Sequence, residues 1–419
     1  MKRLPATTVY YGRELLLSMP TFIVVAVYLV RELHLSPLQL ILVGTAMEAA
    51  VFLFEIPTGV VADTYSRRLS LVIGNVGTGT AWLLVGVVSA PWAVIVLWAA
   101  WGVAYTFTSG AEEAWITDEV GVGNVGRVFL RGTRFSYVGS FLGLIGLVAL
   151  GTVSLRAAVI AGGAITILCG LASALLMPED GFRRRPRVER GSAFSELRRT
   201  AVSGGRFAWA QPIVMLLIGV ELFDGMSSEA FDRLREAHFL RDIGLPAVGH
   251  LDPVVWFGLF SLVTMPFGFF AAGRLLRRVE RSGTEGVARM LLGLTVVLLA
   301  AGLVFALTGS TWIAIAAIVA VYLARRLASP LYLIWMNEQI TDSSVRATVL
   351  SLSGQANAVG QAGGGPVLGV LGNVWGIPTA LATGATMLAP AVGLYARAIA
   401  HRGREPELEE LPPAEAVIG

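Results

Sequence analysis

Lysine, cysteine and charged residues in general are scarce in this sequence. Lys2 is the only lysine, so arginine carries nearly all of the positive charge. Charged residues make up only 15% of the 419 residues, hydrophobic residues make up 55%, and the mean hydropathy is +0.69. Soluble domains contain about 25% charged residues. The composition therefore excludes an ordinary soluble domain and indicates a polytopic membrane protein.

The residues and motifs of common active sites are also missing. The single cysteine, Cys169, lies in an apolar run and cannot form an internal disulfide, so we interpret it as a small core residue. His34, His238 and His250 lack the spacing of metal ligands, and no metal site is expected. The sequence has no nucleotide-binding loop, no nucleophile elbow and no basic stripe with interleaved aromatics. An enzyme, an ATP-driven pump and a nucleic-acid-binding protein are therefore not indicated, and no cofactor is expected.

Long apolar runs fill most of the chain. A bilayer core about 30 Å thick requires about 20 residues per helix, which predicts spans near 7–30, 37–60, 69–90, 92–114, 131–152, 155–177, 211–235, 253–275, 286–308, 311–335, 346–371 and 375–398. Arginines concentrate in alternate connections, and the positive-inside rule then places both termini in the cytoplasm. We expect a multi-pass protein of the cell (inner) membrane.

The longest cytoplasmic connection divides these spans six and six. We predict an N-terminal six-helix bundle at 1–177, a cytoplasmic linker at 178–208, a C-terminal six-helix bundle at 209–398 and a disordered cytoplasmic tail at 399–419.

Matched landmarks in the two halves indicate a duplication. Pro57-Thr-Gly59 recurs as Pro266-Phe-Gly268, 209 residues later, in the corresponding span of the second half. Glu119 followed by Arg127 recurs as Glu338 followed by Arg346 at the same spacing. Acids and arginines are rare in this chain, so such agreement favours an internal structural repeat.

A short charged turn separates the second and third predicted spans. It reads Gly59-Val-Val-Ala-Asp63-Thr-Tyr-Ser-Arg67-Arg68, and Gly59 and Asp63 share one face if helical geometry persists. This set resembles the signature loop of the major facilitator superfamily, with Ser66 where that family usually has Gly. The resemblance implies that Gly59 lets a neighbouring helix approach and that Asp63 pairs with Arg67 or Arg68 at a cytoplasmic gate.

The resemblance covers nearly the whole chain. It implies an all-α membrane protein with twelve transmembrane helices in two pseudo-symmetric six-helix bundles, the major facilitator fold. The chain is similar in type to bacterial drug/proton antiporters, although Trp98 stands where these typically have an arginine four residues before Gly102. The Gly-Pro-x-x-Gly-Gly signature that these antiporters carry in the fifth helix is also missing from this sequence. A related glycine string in the eleventh span makes Gly365, Pro366 and Gly369 the candidate hinge.

Five charged residues lie near the middle of predicted spans: Glu48, Glu221, Asp224, Arg325 and Arg326. Each costs about 2.5–3.5 kcal/mol at the helix centre on insertion scales, so it must be paired or face water. The resemblance places helices seven and ten at a central cavity, where the acids and arginines are expected to meet. They form either a static ion pair or a substrate and proton-coupling site, and Asp224 is the leading proton carrier.

Other charged and aromatic residues complete the expectations. Gate or interhelix salt bridges are expected at the cytoplasmic ends, from Glu14, Glu55, Glu112, Glu113, Arg131 and Arg134. The charged stretch 229–241 is expected to be a helix that projects from the outer face. Most aromatic residues on the first, fourth and tenth spans are expected to be lipid-facing or interfacial anchors. The remainder would line an apolar cavity suited to an amphipathic organic solute.

Our prediction is a secondary active transporter that couples efflux of a small amphipathic or drug-like solute to protons by alternating access. The alternative within transport is proton-coupled uptake of an anionic organic solute recognised by Arg325 and Arg326. The alternative outside transport is a membrane scaffold or receptor. The expected partners are a small-molecule substrate, the lipid bilayer and a proton gradient, and the chain is expected to act as a monomer.

Overall fold

The computed structural model describes residues 4–20, 22–182, 202, 205–246, 248–249, 251–340, 342 and 345–402, and excludes the side chains of 56, 60, 63, 264–284 and 347. Most of the predicted linker 178–208 and tail 399–419 therefore lies outside the described residues, as do the side chains of the Pro266-Phe-Gly268 landmark. Within the described ranges the regular secondary structure is entirely helical, which confirms the predicted fold class.

Eight helices form the N-terminal half: α1 (Ala6–Leu17), α2 (Phe22–Arg31), α3 (Pro37–Thr64), α4 (Arg67–Val85), α5 (Pro91–Thr106), α6 (Ala111–Val120), α7 (Val122–Val153) and α8 (Leu155–Leu176). The first predicted span is divided between α1 and α2, where Pro20 lacks an N–H for a helical hydrogen bond. The fourth is divided between α5 and α6, where Gly110 has a positive φ of 68°. The other four spans are single helices.

In the part of the C-terminal half that the structure describes, the helices with defined bounds are α9 (Pro212–His238), α10 (Pro253–Leu307), α11 (Thr311–Gln339), α12 (Arg346–Trp375), α13 (Ile377–Thr386) and α14 (Ala389–Arg402). A π-helical turn (Phe239–Ile243) extends α9. The last two helices together form the predicted twelfth span. Glu338 and Arg346 lie on either side of the α11–α12 connection, as Glu119 and Arg127 do at α6 and α7.

Helix α10 contains both the eighth and the ninth predicted spans. Its backbone is helical over 55 residues, with no break between the two predictions. The ring of Phe239 nevertheless lies 6.0 Å from Phe257 and 5.4 Å from Phe305. A straight helix would hold those two phenylalanines about 72 Å apart at 1.5 Å per residue. The stretches 253–263 and 285–307 therefore lie side by side, as two spans do.

Hydropathy supports most of these spans individually. Among the described residues, nine helical stretches are long and apolar enough to cross a membrane. The three others that we predicted are α9, which carries several charges, the short described start of α10, and the glycine-rich α12. Their composition reflects burial within the protein, where polar and small residues pack against other helices.

The two halves contact each other mainly through α3 and α12, with further contacts from α9 and α10. Three polar contacts between the halves lie at one end of the molecule. Arg31 forms an ion pair with Asp252 at 2.9 Å, and the Leu38 backbone N–H donates to the Asn373 side chain at 3.0 Å. Arg241 donates to the Leu35 carbonyl at 2.8 Å. We call this the closed end, defined by residues 31–38, 241–246, 251–252 and 369–376.

The charged stretch after the seventh span is helical, as predicted, but it does not project from the protein. Glu229, Phe231, Leu234, Glu236 and His238 are all buried. The expected projection is therefore wrong. The stretch alternates charged residues with apolar ones that pack into the core, and its charges have partners within the bundle.

Candidate functional site

A cavity of about 410 Å³ lies within the C-terminal half and is lined by Glu221 and Asp224 of α9. The two acids are one helical turn apart and therefore share a face. The Asn357 Nδ2 donates to Glu221 Oε2 at 2.8 Å and lies 3.5 Å from Asp224 Oδ2. Gln361 Nε2 donates to Asn357 Oδ1 at 2.7 Å, so the Asn357 amide is held with its N–H groups toward the acids. The predicted acid pair thus forms one hydrogen-bonded cluster with α12.

The lining of this cavity also carries hydroxyl groups. The Tyr332 hydroxyl lies 2.6 Å from the Ser353 hydroxyl and donates to the Leu217 carbonyl at 3.1 Å. Tyr395 lines the same space from α14. The acids therefore face a cavity that is partly polar.

Arg325 lines the same cavity, but its direct partner is a different acid. Its Nη1 lies 3.4 Å from both carboxylate oxygens of Asp232, two turns beyond Asp224 on α9. Arg326 is exposed and has no ion pair in the part of the chain that the structure describes. The sequence analysis placed an acid and an arginine together on helices seven and ten, but it did not identify Asp232.

A second cavity, of about 450 Å³, lies between the two halves. We call it the central cavity. Its N-terminal side is lined by Phe22 of α2, Glu48 of α3, and Trp98 and Trp101 of α5. The rings are packed together, with centroid distances of 5.4 Å for Phe22–Trp101 and 4.8 Å for Trp98–Trp101. Among the described side chains, Glu48 is the one mid-membrane acid predicted from the sequence that lines this cavity.

The C-terminal side of the central cavity carries Asp232, Arg233 and Arg235. Asp232 is the acid paired with Arg325, so that ion pair separates the two cavities. Arg235 pairs with Glu236 at 2.6 Å, and its guanidinium lies 5.0 Å from the ring centre of Tyr322.

Arg233 bridges the two halves. Its Nε lies 3.3 Å from Glu229 Oε1, and its guanidinium lies 5.4 Å from the ring centre of Trp98 in the N-terminal half. Glu229 is fully buried, and its Oε2 has no hydrogen-bond partner among the described atoms. The pair packs directly on Gly44 of α3, where a Cβ would overlap both Glu229 Oε1 and Arg233 Nε. The sequence analysis missed this contact because Glu229 was assigned to a projecting helix.

Glu48 differs from the other charged residues of the central cavity. Asp232, Arg233 and Arg235 each form an ion pair. Glu48 has neither a hydrogen bond nor an ion pair with any residue that the structure describes, and it is only partly exposed. Arg233 attracts it through space, but no described cation pairs with it directly.

The predicted hinge lies where α12 packs on α3. A Cβ at Gly365 would lie 2.7 Å from Thr45 Oγ1, and a Cβ at Gly369 would lie 2.8 Å from Leu38 Cδ1. Pro366 lies inside α12 between them. The small residues therefore permit close approach of the two halves near the closed end.

The predicted gate lies at the other end of the molecule. Ser66 caps α4, and its hydroxyl donates to Glu179 at 2.8 Å. Arg68 donates its backbone N–H to Glu179 at 2.9 Å, and Arg67 pairs with Asp118 at 3.0 Å. These partners belong to the N-terminal half.

The two other predicted gate residues, Asp63 and Gly59, have no described contact with the C-terminal half. The side chain of Asp63 lies outside the described residues. A Cβ at Gly59 would meet no described atom within 4 Å.

A buried ion pair lies deeper in the N-terminal half. Arg13 is 2% exposed and binds Glu112 through two hydrogen bonds, of 2.8 and 2.9 Å, and it donates to Ser173 at 2.6 Å. The interhelix salt bridge expected for Glu112 is confirmed, although its partner Arg13 was not anticipated. Glu55 accepts a hydrogen bond from Ser109 at 3.3 Å.

The other predicted salt bridges at this end are not observed. Glu113, Arg131 and Arg134 are exposed and have no ion pair with any described residue. Water or lipid headgroups can solvate such side chains at the membrane surface, so they need no protein partner.

Comparison with known proteins identifies the fold and the family. The sequence matches the Major Facilitator Superfamily over residues 13–324. It is 26% identical over 97 residues to an uncharacterized MFS-type transporter, YxaM of Bacillus subtilis (strain 168), an alignment that covers 23% of this chain and spans about a quarter (24%) of that relative.

Solved structures are similar over nearly the whole chain. A mutant of the nucleoside transporter NupG has a TM-score of 0.76 at 12% identity, covering 94% of this chain and 98% of its own. A bacterial homolog of the human lysosomal transporter Spinster, in an inward-facing and occupied conformation, has a TM-score of 0.69 at 15% identity, covering 94% and 95%. A mutant of the peptide transporter POT has a TM-score of 0.68 at 14% identity, covering 95% and 93%.

At such identities these structures establish the fold alone. Together with the family match over most of the sequence, they confirm the predicted all-helical membrane fold. The chain belongs to the Major Facilitator Superfamily and has the multi-pass membrane fold of its secondary transporters.

Proposed function

We propose that this chain exports a small amphipathic organic solute in exchange for protons, by alternating access of the central cavity. The observation that carries the proposal is the composition of that cavity. Its walls combine packed aromatic rings with several charged side chains, and its volume is about 450 Å³. Ligand pockets for drug-sized molecules have about 300–1,000 Å³ and a mainly apolar lining with a few polar groups.

Proton coupling is assigned to the acids inside the membrane. A buried carboxylate is disfavoured in its charged form, and a change of partner between two conformations links proton binding to the conformational change. Glu221 and Asp224 are held by Asn357 of α12, the helix that packs against the N-terminal half. A movement of α12 would change their surroundings. Asp224 remains the leading proton carrier, with Glu221 and Glu48 as the alternatives.

The topology proposed from the arginine distribution assigns each end of the molecule to one side of the membrane. With both termini in the cytoplasm, the closed end faces outside, and the central cavity would exchange solute with the cytoplasm. Asp63, Arg67 and Arg68 would then lie at the opposite, cytoplasmic end. There they would form the gate that closes when the outer end opens.

Uptake of an anionic solute remains the second candidate. It is favoured by Arg326, which is exposed and has no ion pair among the residues described. Arg325 favours it less, because its guanidinium already neutralises Asp232. An anion would need to displace that acid before it could bind Arg325.

Transport in proteoliposomes tests the proposal. The purified protein is reconstituted, inward and outward proton gradients are imposed in turn, and accumulation of cationic, neutral and anionic solutes is measured. We expect accumulation of an amphipathic solute against its gradient when the proton gradient favours exchange, and its collapse with a protonophore. Accumulation of anions alone, driven by protons moving in the same direction, would replace export with the uptake alternative.

A further inference from the structure

The charges around the central cavity do not balance within the protein. Arg233 is matched by Glu229, Arg235 by Glu236, and Arg325 by Asp232. Glu48 is the acid that remains without a partner in the described structure. The charged side chains that line the cavity itself, Glu48, Asp232, Arg233 and Arg235, sum to zero. Once the ion-pair partners behind the lining are included, however, the four acids and three arginines together carry one excess negative charge. A single positive charge on a ligand would neutralise it.

The walls beside Glu48 are suited to a large cation with an apolar body. Phe22, Trp98 and Trp101 lie on the same side of the cavity as Glu48. Aromatic faces attract cations within about 6 Å of the ring centre and also bury apolar surface. A small inorganic cation would keep its water shell and gain little from such walls.

The chain itself shows that this aromatic cluster accepts a cation. The Arg233 guanidinium already lies 5.4 Å from the ring centre of Trp98. Its direct ion pair is with Glu229, and it attracts Glu48 only through space. The rings of Phe22 and Trp101 line the remainder of this surface.

We propose that the central cavity binds an organic monocation, with its positive charge against the Glu48 carboxylate and its aromatic or aliphatic body against Phe22 and Trp101. The inference rests on the proposed export function and specifies the solute as cationic. Neutral and anionic compounds of the same shape are excluded by charge, since they leave Glu48 unpaired in a partly dehydrated cavity.

Equilibrium binding to the purified, full-length protein in detergent tests this without a membrane gradient. The probes are tetraphenylphosphonium and tetraphenylborate, which have nearly the same shape and opposite charge, with empty micelles as the background. We expect saturable binding of tetraphenylphosphonium and none of tetraphenylborate. The Glu48→Gln variant should bind tetraphenylphosphonium at least about tenfold more weakly, since partly screened charges a few ångströms apart attract by a few kcal/mol.

Two further variants control for folding and for charge in general. Glu48→Asp keeps the carboxylate and should retain most of the cation preference. Glu55→Gln removes a charge from the same helix, α3, at a residue that does not line the cavity, and should bind as the wild type does. If Glu48→Gln is poorly folded, two other measurements decide whether Glu48 binds the cation. They are the ratio of the tetraphenylphosphonium dissociation constants of Glu48→Asp and the wild type, and the preference of the wild type for tetraphenylphosphonium over tetraphenylborate.

Equal binding by Glu48→Gln and the wild type would overturn the inference. So would wild-type binding of tetraphenylborate in preference to tetraphenylphosphonium. Failure of the export proposal has a different outcome. In that case the purified protein would bind the cation selectively, but proteoliposomes would show no gradient-driven transport of any solute. The binding site would then be supported and the export function would not.

Discussion

The contact of Gly44 with the Glu229–Arg233 pair lies deeper along α3 than the closed end and offers a sharp test of how the two halves are held together there. Gly44 lies on α3 in the N-terminal half, and the ion pair lies on α9 in the other half. A Cβ at Gly44 would overlap Glu229 Oε1 and Arg233 Nε. The Gly44→Ala substitution therefore adds one methyl group where two charged atoms already lie. Two responses are then open. The Glu229 and Arg233 side chains can move away from α3 and lose their packing against it, or the two halves of the protein can separate here.

The expected effect follows from the cost of overpacking. Inserting a methyl group into a tightly packed site typically costs about 1–3 kcal/mol. Here that cost falls on the closed conformation, because the contact joins the two halves and is lost when they separate. A change of about 1–3 kcal/mol shifts a two-state equilibrium about 5–150-fold. We expect Gly44→Ala to raise the open fraction by a factor in that range.

Cysteine labelling measures the shift. Cys169 is buried and is the only cysteine, so a Cys169→Ser background permits a single reporter. Ile41 is fully buried on α3 near Gly365, at the contact of the two halves. Ile41→Cys should react slowly with a membrane-impermeant maleimide added to the closed end. It should react about 5–150-fold faster when Gly44→Ala is present.

A second glycine provides the matched control. Gly146 on α7 has no described atom within 4 Å of a built Cβ, so Gly146→Ala should leave the labelling rate unchanged. Unfolding temperatures of all variants show whether they are folded. An unchanged labelling rate in folded Gly44→Ala protein would refute the claim that this contact holds the two halves together.

Four further predictions follow from other parts of the structure. Arg13→Met should lower the free energy of unfolding by about 3–5 kcal/mol, because it leaves the Glu112 carboxylate unpaired; thermal unfolding should show partial recovery in Arg13→Met/Glu112→Gln. Asp224→Asn should keep solute exchange and lose pH-dependent accumulation in proteoliposomes, and full retention of accumulation would remove Asp224 as the carrier. Asp63→Asn should reduce transport without reducing expression, and a wild-type rate would refute its role in the gate. A reporter fused after residue 419 should be active in the cytoplasm, whereas alkaline phosphatase activity there would reverse the proposed topology.

Hydropathy predicted the number, order and approximate bounds of the spans. It succeeds because each membrane helix must satisfy its backbone internally and present an apolar surface over a fixed length. It did not predict the breaks between α1 and α2 or between α5 and α6. Both breaks are local, at Pro20 and Gly110, and the apolar run continues across each of them. Composition alone therefore describes each pair as one span.

The partners of the charged residues were harder to predict than the charges themselves. Arg325 was recognised as a mid-membrane charge, but its partner Asp232 was assigned to a helix outside the membrane. Arg13 was overlooked because it lies near the start of an apolar run, where an arginine is equally consistent with the cytoplasmic surface. Pairing depends on rotation and depth of neighbouring helices, which one sequence does not specify.

The interface between the halves was the least predictable part of the site. The glycine string at Gly365 and Gly369 was identified as unusual, but nothing in the sequence shows that it packs on Thr45 and Leu38. The contact of Glu229 with Gly44 likewise joins residues far apart in the chain. In the alternating-access mechanism that we propose, such contacts belong to one of two conformations, so the sequence must also be compatible with their loss.

Solute-induced proton movement is the most direct test of exchange between an organic cation and protons. Proteoliposomes containing a trapped pH indicator are prepared with equal pH on both sides, and tetraphenylphosphonium is added outside while the membrane potential is clamped. We expect the cation to enter as protons leave, so that the lumen of wild-type vesicles becomes alkaline. The rise in lumenal pH should be much smaller in Glu48→Gln vesicles. Protein-free liposomes give the passive entry of this lipophilic cation. Protein-dependent entry beyond that background with no change in lumenal pH, or with acidification, would contradict exchange.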